Sequence, residues 1–284
     1  MADVVVCGPV SWNQIVYLDA LPDARPQTVL AQDSYETLGG TSAGKALHLH
    51  DRGRSVRLRT VVGDDDTGRL ILDALERAHV RTEPLCVAGP SERHLNLMTR
   101  EGERVSVYLS TPAEPPPLDV ETLRDACAVV LDLAPWTRTI AGGLQRGDLP
   151  VWTDLHDYDG SADFHRPFLE AATHVLLSAD ALDGPADFLH RLIDDGAQLG
   201  VCTFGADGAL AVDAAHREWR VAAVPVEHLA DTNGAGDAFF AGLLDASLDG
   251  LDTGACLEAA AAQAVVALQS RHLSPLIDAA AYDA

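Results

Sequence analysis

An α/β fold built on a mostly parallel sheet is what this 284-residue sequence predicts, and three observations carry the expectation. Short, continuous apolar runs such as Val4–Cys7 recur along the chain, as expected of strands buried on both faces. Between them lie longer stretches whose apolar residues fall three or four apart, the helical period. The two patterns alternate almost to the end, which favours helices packed on both sides of one sheet.

Taken in order, Val4–Cys7 reads as the first strand, Ser42–Arg52 as a helix stopped by Gly53, and Val56–Val62 as a strand. Thr67–Ala78 is a second helix, with Leu70, Ile71, Leu75 and Ala78 on one face. There follow strand Ala128–Leu133, helix Arg138–Gln145, strand Val151–Asp154, helix Phe164–Ala172 and strand His174–Leu177. Helix Pro185–Asp195 and strand Leu199–Phe204 complete the alternation, before a hairpin-like pair at Ala209–Asp213 and Glu218–Val224. Two Ala-rich helices, Ala238–Ser247 and Gly254–Gln269, close the pattern.

Two segments break the rhythm. Gln14–Leu38 and Glu92–Leu109 alternate in polarity, with turn residues Pro22, Pro26 and Gly102 between their runs. That suits antiparallel strands with one exposed face, read here as one small sheet inserted into the main domain. The Pro-rich tract Ala113–Pro117 returns the chain to the parallel core.

Composition excludes several function classes. A formal net charge of −23 argues against nucleic acid and anionic membrane as partners, since both need a basic face. Five cysteines (Cys7, Cys86, Cys127, Cys202, Cys256) show no short paired spacing, so neither a disulfide framework nor a zinc site is expected. The start, Met1 to Gly8, has no basic region and too short an apolar run for a signal peptide, and no stretch approaches membrane-spanning length, so a cytoplasmic enzyme is expected. Lysine occurs once, at Lys45; apart from histidine, all other basic residues are arginine.

The most informative stretch is Asp231-Thr232-Asn233-Gly234-Ala235-Gly236-Asp237-Ala238-Phe239-Phe240-Ala241-Gly242. It ends a polar loop, supplies two glycines and runs into an apolar helix with a carboxylate in its first turn. A helix N-terminus offers unpaired N–H groups and partial positive charge, and Gly234 and Gly236 let an anion approach the backbone closely. A carboxylate would repel a bound phosphate there. The arrangement makes sense if Asp237 takes a proton from a hydroxyl while the amides hold developing negative charge. That is the layout of phosphoryl transfer.

A second stretch imitates a different motif. Gly39-Gly40-Thr41-Ser42-Ala43-Gly44-Lys45-Ala46 fits Gly-x-x-x-x-Gly-Lys, and Val129-Val130-Leu131-Asp132 could pass for its companion strand. A P-loop needs Ser or Thr at its last position to hold Mg²⁺, and here that residue is Ala46. Ser34–Leu38 alternate like an exposed strand, unlike the apolar run that precedes a P-loop.

Asp231 to Phe239 resembles the C-terminal signature of the ribokinase-like, or PfkB-type, carbohydrate kinases, Asp-Thr-x-Gly-Ala-Gly-Asp-x-Phe. The resemblance implies a ribokinase-like three-layer αβα fold, with residues 1–284 forming a single kinase domain and segments 14–38 and 92–109 a lid over the acceptor. It makes Asp237 the catalytic base and Gly234, Ala235 and Gly236 the anion hole. Gly39-Gly40 with Ala46 is similar to the family's N-terminal signature, Gly-Gly-x-x-x-Asn-x-Ala. With Asn13 and Thr41 these glycines would line the acceptor pocket, and Trp12 would either stack on a ring or, more commonly for such a residue, pack. Thr203-Phe204-Gly205-Ala206-Asp207-Gly208-Ala209 resembles the family's Thr-x-Gly-x-x-Gly-Ala segment, so Thr203, Gly205 and Gly208, with Thr232, would receive the nucleotide. Val62–Gly68 resembles its Gly-x-Asp-x-x-Gly turn, and equally an Asp-rich helix cap. Asp154 closes a core strand, the side of an open sheet where ligands collect.

The sequence departs from the family at three places. Asn13 stands where an aspartate usually grips two sugar hydroxyls, and Gly44 where a sugar-binding asparagine is usual. The Mg²⁺-linked Asn-x-x-Glu is reduced to Ser178-Ala179-Asp180-Ala181, leaving Asp180 as a shifted candidate ligand. The expected activity is transfer of the γ-phosphate of ATP, with Mg²⁺, to a hydroxymethyl group of a sugar or sugar-like molecule. A nucleoside or heterocyclic-alcohol kinase and a non-catalytic ligand-binding relative are the alternatives. The family frame also leaves room for a homodimer built through the lid. His48 and His50, and Asp157 with Asp159, are expected to be surface features without metal.

Overall fold

The structure, a computed structural model, describes residues 3–100 and 102–277. Met1 and Ala2, part of the start read above, and Glu101, inside the second exposed segment, lie outside them. A nine-stranded sheet forms the centre, in the order β13-β12-β11-β10-β9-β8-β1-β4-β5. These strands are β1 (Val4–Cys7), β4 (Val56–Gly63), β5 (Arg81–Val87), β8 (Ala128–Leu131), β9 (Val151–Asp154), β10 (His174–Ser178), β11 (Leu199–Thr203), β12 (Ala209–Asp213) and β13 (Glu218–Val221). From β5 across to β11 every pairing is parallel; β12 and β13 add an antiparallel edge.

Burial on both faces explains the continuous apolar runs. In β1, Val4 and Val6 join one hydrophobic cluster while Val5 and Cys7 join another, and β8 divides in the same way. The first cluster lies under α1 (Thr41–Asp51), α2 (Asp66–Arg77), α6 (Ala235–Leu248) and α7 (Thr253–Leu268). The second lies under α3 (Pro135–Gly142), α4 (Arg166–Ala171) and α5 (Pro185–Asp194). Helices α6 and α7 approach closely at Gly242, where an added Cβ would stand 2.8 Å from the Gln263 Cβ.

A second, four-stranded sheet combines β2 (Ser11–Tyr17), β3 (Asp33–Gly39), β6 (Arg93–Met98) and β7 (Arg104–Ser110) in the order β3-β2-β6-β7. The two rhythm-breaking segments therefore meet, but not as a purely antiparallel sheet: β2 and β6 run parallel. The chain between them passes through α1, β4, α2 and β5, and such a long crossover permits parallel pairing. Residues 18–32 of the first segment form no strand.

Other expectations are corrected by the structure. Strand β5 was not anticipated: Pro84 and half-exposed alternation mark an edge strand, and edges tolerate a residue that cannot donate. Leu70 faces outward, and Ala74 takes its place beside Ile71 and Leu75. Helix α3 begins three residues earlier than expected, at Pro135, whose fixed φ suits the first turn. Phe164–Ala172 is a 3₁₀ turn leading into a short α4, and β13 stops at Val221. None of the five cysteines forms a disulfide among the described residues. Among the described residues no helix is long and apolar enough to cross a membrane.

Candidate active site

The chain leaves β1 toward the small sheet and builds β4 and β5 on one side, then crosses to build β8 onward on the other. Ligands collect at the carboxyl ends of strands where an open sheet reverses direction in this way. At that edge lie Asp132, just past β8, Asp154, the last residue of β9, and the start of α6.

Helix α6 starts at Ala235 after Gly234, which holds a left-handed φ of 78° that other residues adopt at a cost. The first intrahelical bond runs from the Ala238 amide to the Gly234 carbonyl at 2.8 Å, leaving the amides of Ala235, Gly236 and Asp237 available to a ligand. A Cβ added to Gly236 would meet nothing within 4 Å, so this glycine faces open space. The structure thus brings together the four residues named for the anion hole and base.

Asp237 is held from below. Its Oδ1 accepts from Thr41 Oγ1 at 2.5 Å and from Lys45 Nζ at 2.7 Å. The same ammonium lies 3.0 Å from Asp132 Oδ1 and 3.2 Å from Asp154 Oδ2, and it also donates to Thr41 Oγ1. Lys45 is wholly buried, with the Phe240 ring centroid 5.0 Å from its nitrogen. Burial alone would lower its pKa, but Asp132, Asp237 and Asp154 outweigh that and raise it well above the usual lysine range. Asp132 is raised by its own burial in spite of the ammonium. In Asp154 burial is outweighed by His156 and Lys45, so its carboxyl falls below the ordinary value. Ser42 Oγ donates to the other oxygen of Asp132 at 2.6 Å, and the His156 amide to Asp154 at 3.0 Å.

Lys45, noted in the sequence as its one lysine and as part of a P-loop look-alike, lies against Asp237, and so does the Thr41 hydroxyl. A Cβ at Gly39 would stand 2.1 Å from Asn13 Nδ2, and one at Gly40 would stand 2.6 Å from the Val10 Cα. These glycines make room for the chain itself, and Asn13 occupies the space over Gly39. Asn13 in turn accepts from Ser11 Oγ at 2.7 Å. Trp12 is only 4% exposed and donates to Glu36 at 2.8 Å, so its indole packs and is not presented to a ligand.

Thr203, Gly205 and Gly208 share one turn at the end of β11. Gly205 faces open space, while Gly208 is forced by packing, since a Cβ there would lie 2.0 Å from the Val221 carbonyl oxygen. Thr232 sits elsewhere, in a cleft of about 40 Å³ with Tyr17, Met98, Arg100 and Asp231, beside the β6–β7 turn. Asp180 is exposed at the end of β10. No three His, Cys, Asp or Glu side chains group to hold a metal among the described residues, and His48 is instead a buried residue bonded to Gln263 and the Leu273 carbonyl. Asp65 caps α2 by accepting from the Gly68 amide, the plain reading of that turn.

Residues 169–279 match the family model described as pfkB family carbohydrate kinase. Acarbose 7(IV)-phosphotransferase of Actinoplanes sp. is 33% identical over 265 residues, spanning 90% of this chain and 88% of its own. A solved microbiome-derived acarbose kinase is 30% identical with a TM-score of 0.80, covering 93% of this chain and 92% of its own. The ribokinase of Arabidopsis thaliana, solved with ribose and ATP, shares the fold at a TM-score of 0.80 and 19% identity, over 97% of this chain and 95% of its own. The chain belongs to the pfkB family of carbohydrate kinases and is an ATP-dependent phosphotransferase acting on an alcohol group.

Proposed function

We propose that the chain transfers the γ-phosphoryl group of ATP to a hydroxymethyl group of acarbose or a closely related carbohydrate. One observation carries the choice of acceptor: two relatives at 30% identity or above, matched along nine-tenths of this chain, are named for acarbose. The local chemistry agrees, because Asn13 and Gly44 withhold the carboxylate and the amide with which the family usually grips a simple sugar. A charge-assisted hydrogen bond to a sugar hydroxyl is worth about 1.5–3 kcal/mol, so its loss costs one to two decades of affinity.

In this reading Asp237 removes the acceptor proton as the oxygen attacks the γ-phosphorus. The amides of Ala235, Gly236 and Asp237 hold the equatorial oxygens of the transferring group, and ADP departs. Asn13, Gly39, Gly40 and Thr41 edge the acceptor side. Thr203, Gly205 and Gly208 edge the nucleotide side, and Thr232 lines the cleft beside the β6–β7 turn. A divalent cation, Mg²⁺ in most phosphoryl transfers, would neutralise the phosphates. The exposed carboxylate of Asp180, in the Ser178–Ala181 turn at the end of β10, would be a protein ligand offered to it. The small sheet serves as the lid. Its edge strand β7 leaves Val105, Val107, Tyr108 and Leu109 exposed, a surface suited to a second copy of the chain. Such an enzyme would work in the cytoplasm, where ATP is supplied.

The test is ADP release with acarbose, ribose, fructose, adenosine and inosine under one set of conditions. Acarbose is expected to give the highest kcat/KM. Efficient turnover of ribose or fructose, with KM below the millimolar range, would overturn the acceptor argument. Preference for adenosine or inosine would make the chain a nucleoside kinase.

A further inference from the structure

We propose that Lys45 is the positioning residue for the base: it pins one oxygen of Asp237 in the core so that the other, exposed beside Gly44, meets the acceptor hydroxyl. The inference rests on the reading of Asp237 as the base.

The two oxygens of Asp237 are treated differently. Oδ1 receives both Lys45 Nζ and Thr41 Oγ1. Oδ2 accepts no hydrogen bond among the described residues and is the oxygen nearest Gly44. A Cβ at position 44 would stand 2.8 Å from Oδ2 and 2.9 Å from the Asp237 Cβ, closer than real Cβ atoms come. A side chain there would displace the carboxylate or cover its free oxygen. Gly44 and Lys45, neighbours in one turn of α1, thus act on opposite oxygens of one carboxylate. Gly44 keeps one open and Lys45 keeps the other occupied.

The burial of this particular cation needs such an explanation. Placing an ammonium at zero exposure is strongly unfavourable unless several anionic partners compensate it. It is the only lysine in the chain, in a protein whose other basic side chains, histidine aside, are arginines. If α1 needed only an apolar filler against Phe240, a leucine or methionine would pack there without that cost. Three carboxylates from three separate elements converge on the nitrogen instead, and each has a different second anchor. Asp132 has Ser42, Asp154 has the His156 amide, and Asp237 has Thr41. Asp132 and Asp154 fix Lys45, and Lys45 fixes Asp237. A planar carboxylate tethered by two donors at one oxygen has little freedom about its Cβ–Cγ bond, so Oδ2 stays aimed outward before any acceptor arrives. In turnover the acceptor O–H bond breaks as the O–P bond forms. Its proton goes to Oδ2, the electron pair of the breaking P–O bond leaves with ADP, and Lys45 exchanges no proton.

Removing the cation also changes how protons distribute. Asp237 is faced by Lys45 and His48 from α1, Asp132 from the end of β8, and Asp154 and His156 from the end of β9. Without the ammonium three carboxylates would crowd one site, and like charges that close bind a shared proton readily. The acid limb of turnover should then move to higher pH, a change that loose packing alone would not produce.

The experiment compares Lys45→Met, Lys45→Met with Asp132→Asn, and Asp237→Asn, using acarbose and ATP. The double variant also removes one of the three buried carboxylates, which offsets part of the stability lost with the ammonium. Expected for a folded Lys45 variant are a kcat about 10- to 100-fold lower, a KM for ATP within threefold of the parent, and, in the single variant, an acid limb moved up by about one pH unit or more. A kcat within threefold in a folded Lys45 variant, or, in the single variant, a loss of kcat with the acid limb unmoved, overturns the proposal. An arm independent of turnover uses ¹⁵N-lysine labelling, which gives one side-chain ammonium resonance. It should be protected from solvent exchange and should shift in Asp237→Asn. A resonance in fast exchange, or one indifferent to Asp237→Asn, overturns the proposal even if no Lys45 variant folds. Near-parental turnover of Asp237→Asn would instead sink the base reading itself.

Discussion

The loop from Asp231 to Asp237 is held at both ends by a carboxylate, and the two anchors are built from different materials. At the Asp237 end the partners are an ammonium and a hydroxyl from α1, embedded in the core. At the Asp231 end they are two phenols from the small sheet: Tyr17 donates to Oδ2 at 2.8 Å, and the Tyr35 hydroxyl lies 3.2 Å from the same oxygen and 2.7 Å from the Arg271 carbonyl. Burial and the Asp231 charge raise both phenols above their usual range, so they stay neutral donors at any working pH. Arg104 and Met98 of the small sheet also reach Asn233. The difference separates two jobs in the proposed mechanism. The core end would fix the reacting carboxylate with a buried cation, whereas the sheet end grips Asp231 with two uncharged phenol donors that the proposed lid would release on moving.

The sharpest way to break this comparison is at the core end. Asp237→Asn should lower kcat by about 10² to 10⁴, the usual worth of a positioned base, with ATP binding kept. Steady-state kinetics beside nucleotide titration would check it, and turnover within a few-fold of the parent contradicts the assignment. Gly44→Asn comes next. Restoring the family's asparagine brings a Cβ against Asp237, so kcat should fall about 10- to 100-fold with every acceptor. Asn13→Asp alone should be the change that improves ribose and fructose, read as a lower KM for each.

At the sheet end the expected losses are smaller. Tyr17→Phe should cost about 1.5–3 kcal/mol in denaturant unfolding, since it removes a buried bond to a carboxylate, with kcat reduced only a few-fold. A kcat loss as large as that of Asp237→Asn would erase the distinction between the ends. The mildest test is amide hydrogen exchange with acarbose and a non-hydrolysable ATP analogue. Protection should rise together in residues 14–38 and 92–109 and stay level in β1 and β8. Unchanged exchange in both segments, with binding confirmed separately, argues against a lid.

What the sequence disclosed follows the range of the interactions involved. The Gly234–Asp237 run was legible as a candidate site because its parts are local: four consecutive residues carry the turn, the unpaired amides and the carboxylate. The central strands were legible because burial on both faces leaves unbroken apolar runs. Lys45 was not, since its meaning comes from Asp132, Asp154 and Asp237, which only folding brings together. Helix α1 hid it further, being buried almost all round, with no polar stripe against which a buried cation would stand out. The one available signal was compositional, a solitary lysine among arginines. The parallel pairing of β2 with β6 was also out of reach, because alternation reveals which face of a strand is wet but not which way its neighbour runs.

The solitary, buried lysine has a practical consequence. A lysine-specific protease has a single place to cut this chain, within α1 beneath Asp237, and none on the surface. Fraying of loops or of the small sheet would leave such a protease without a substrate; scission needs the centre of the molecule to open. The appearance of two fragments would therefore act as a clock for rare openings of the core, and its slowing in the presence of ligand would read out how firmly occupancy holds the centre closed.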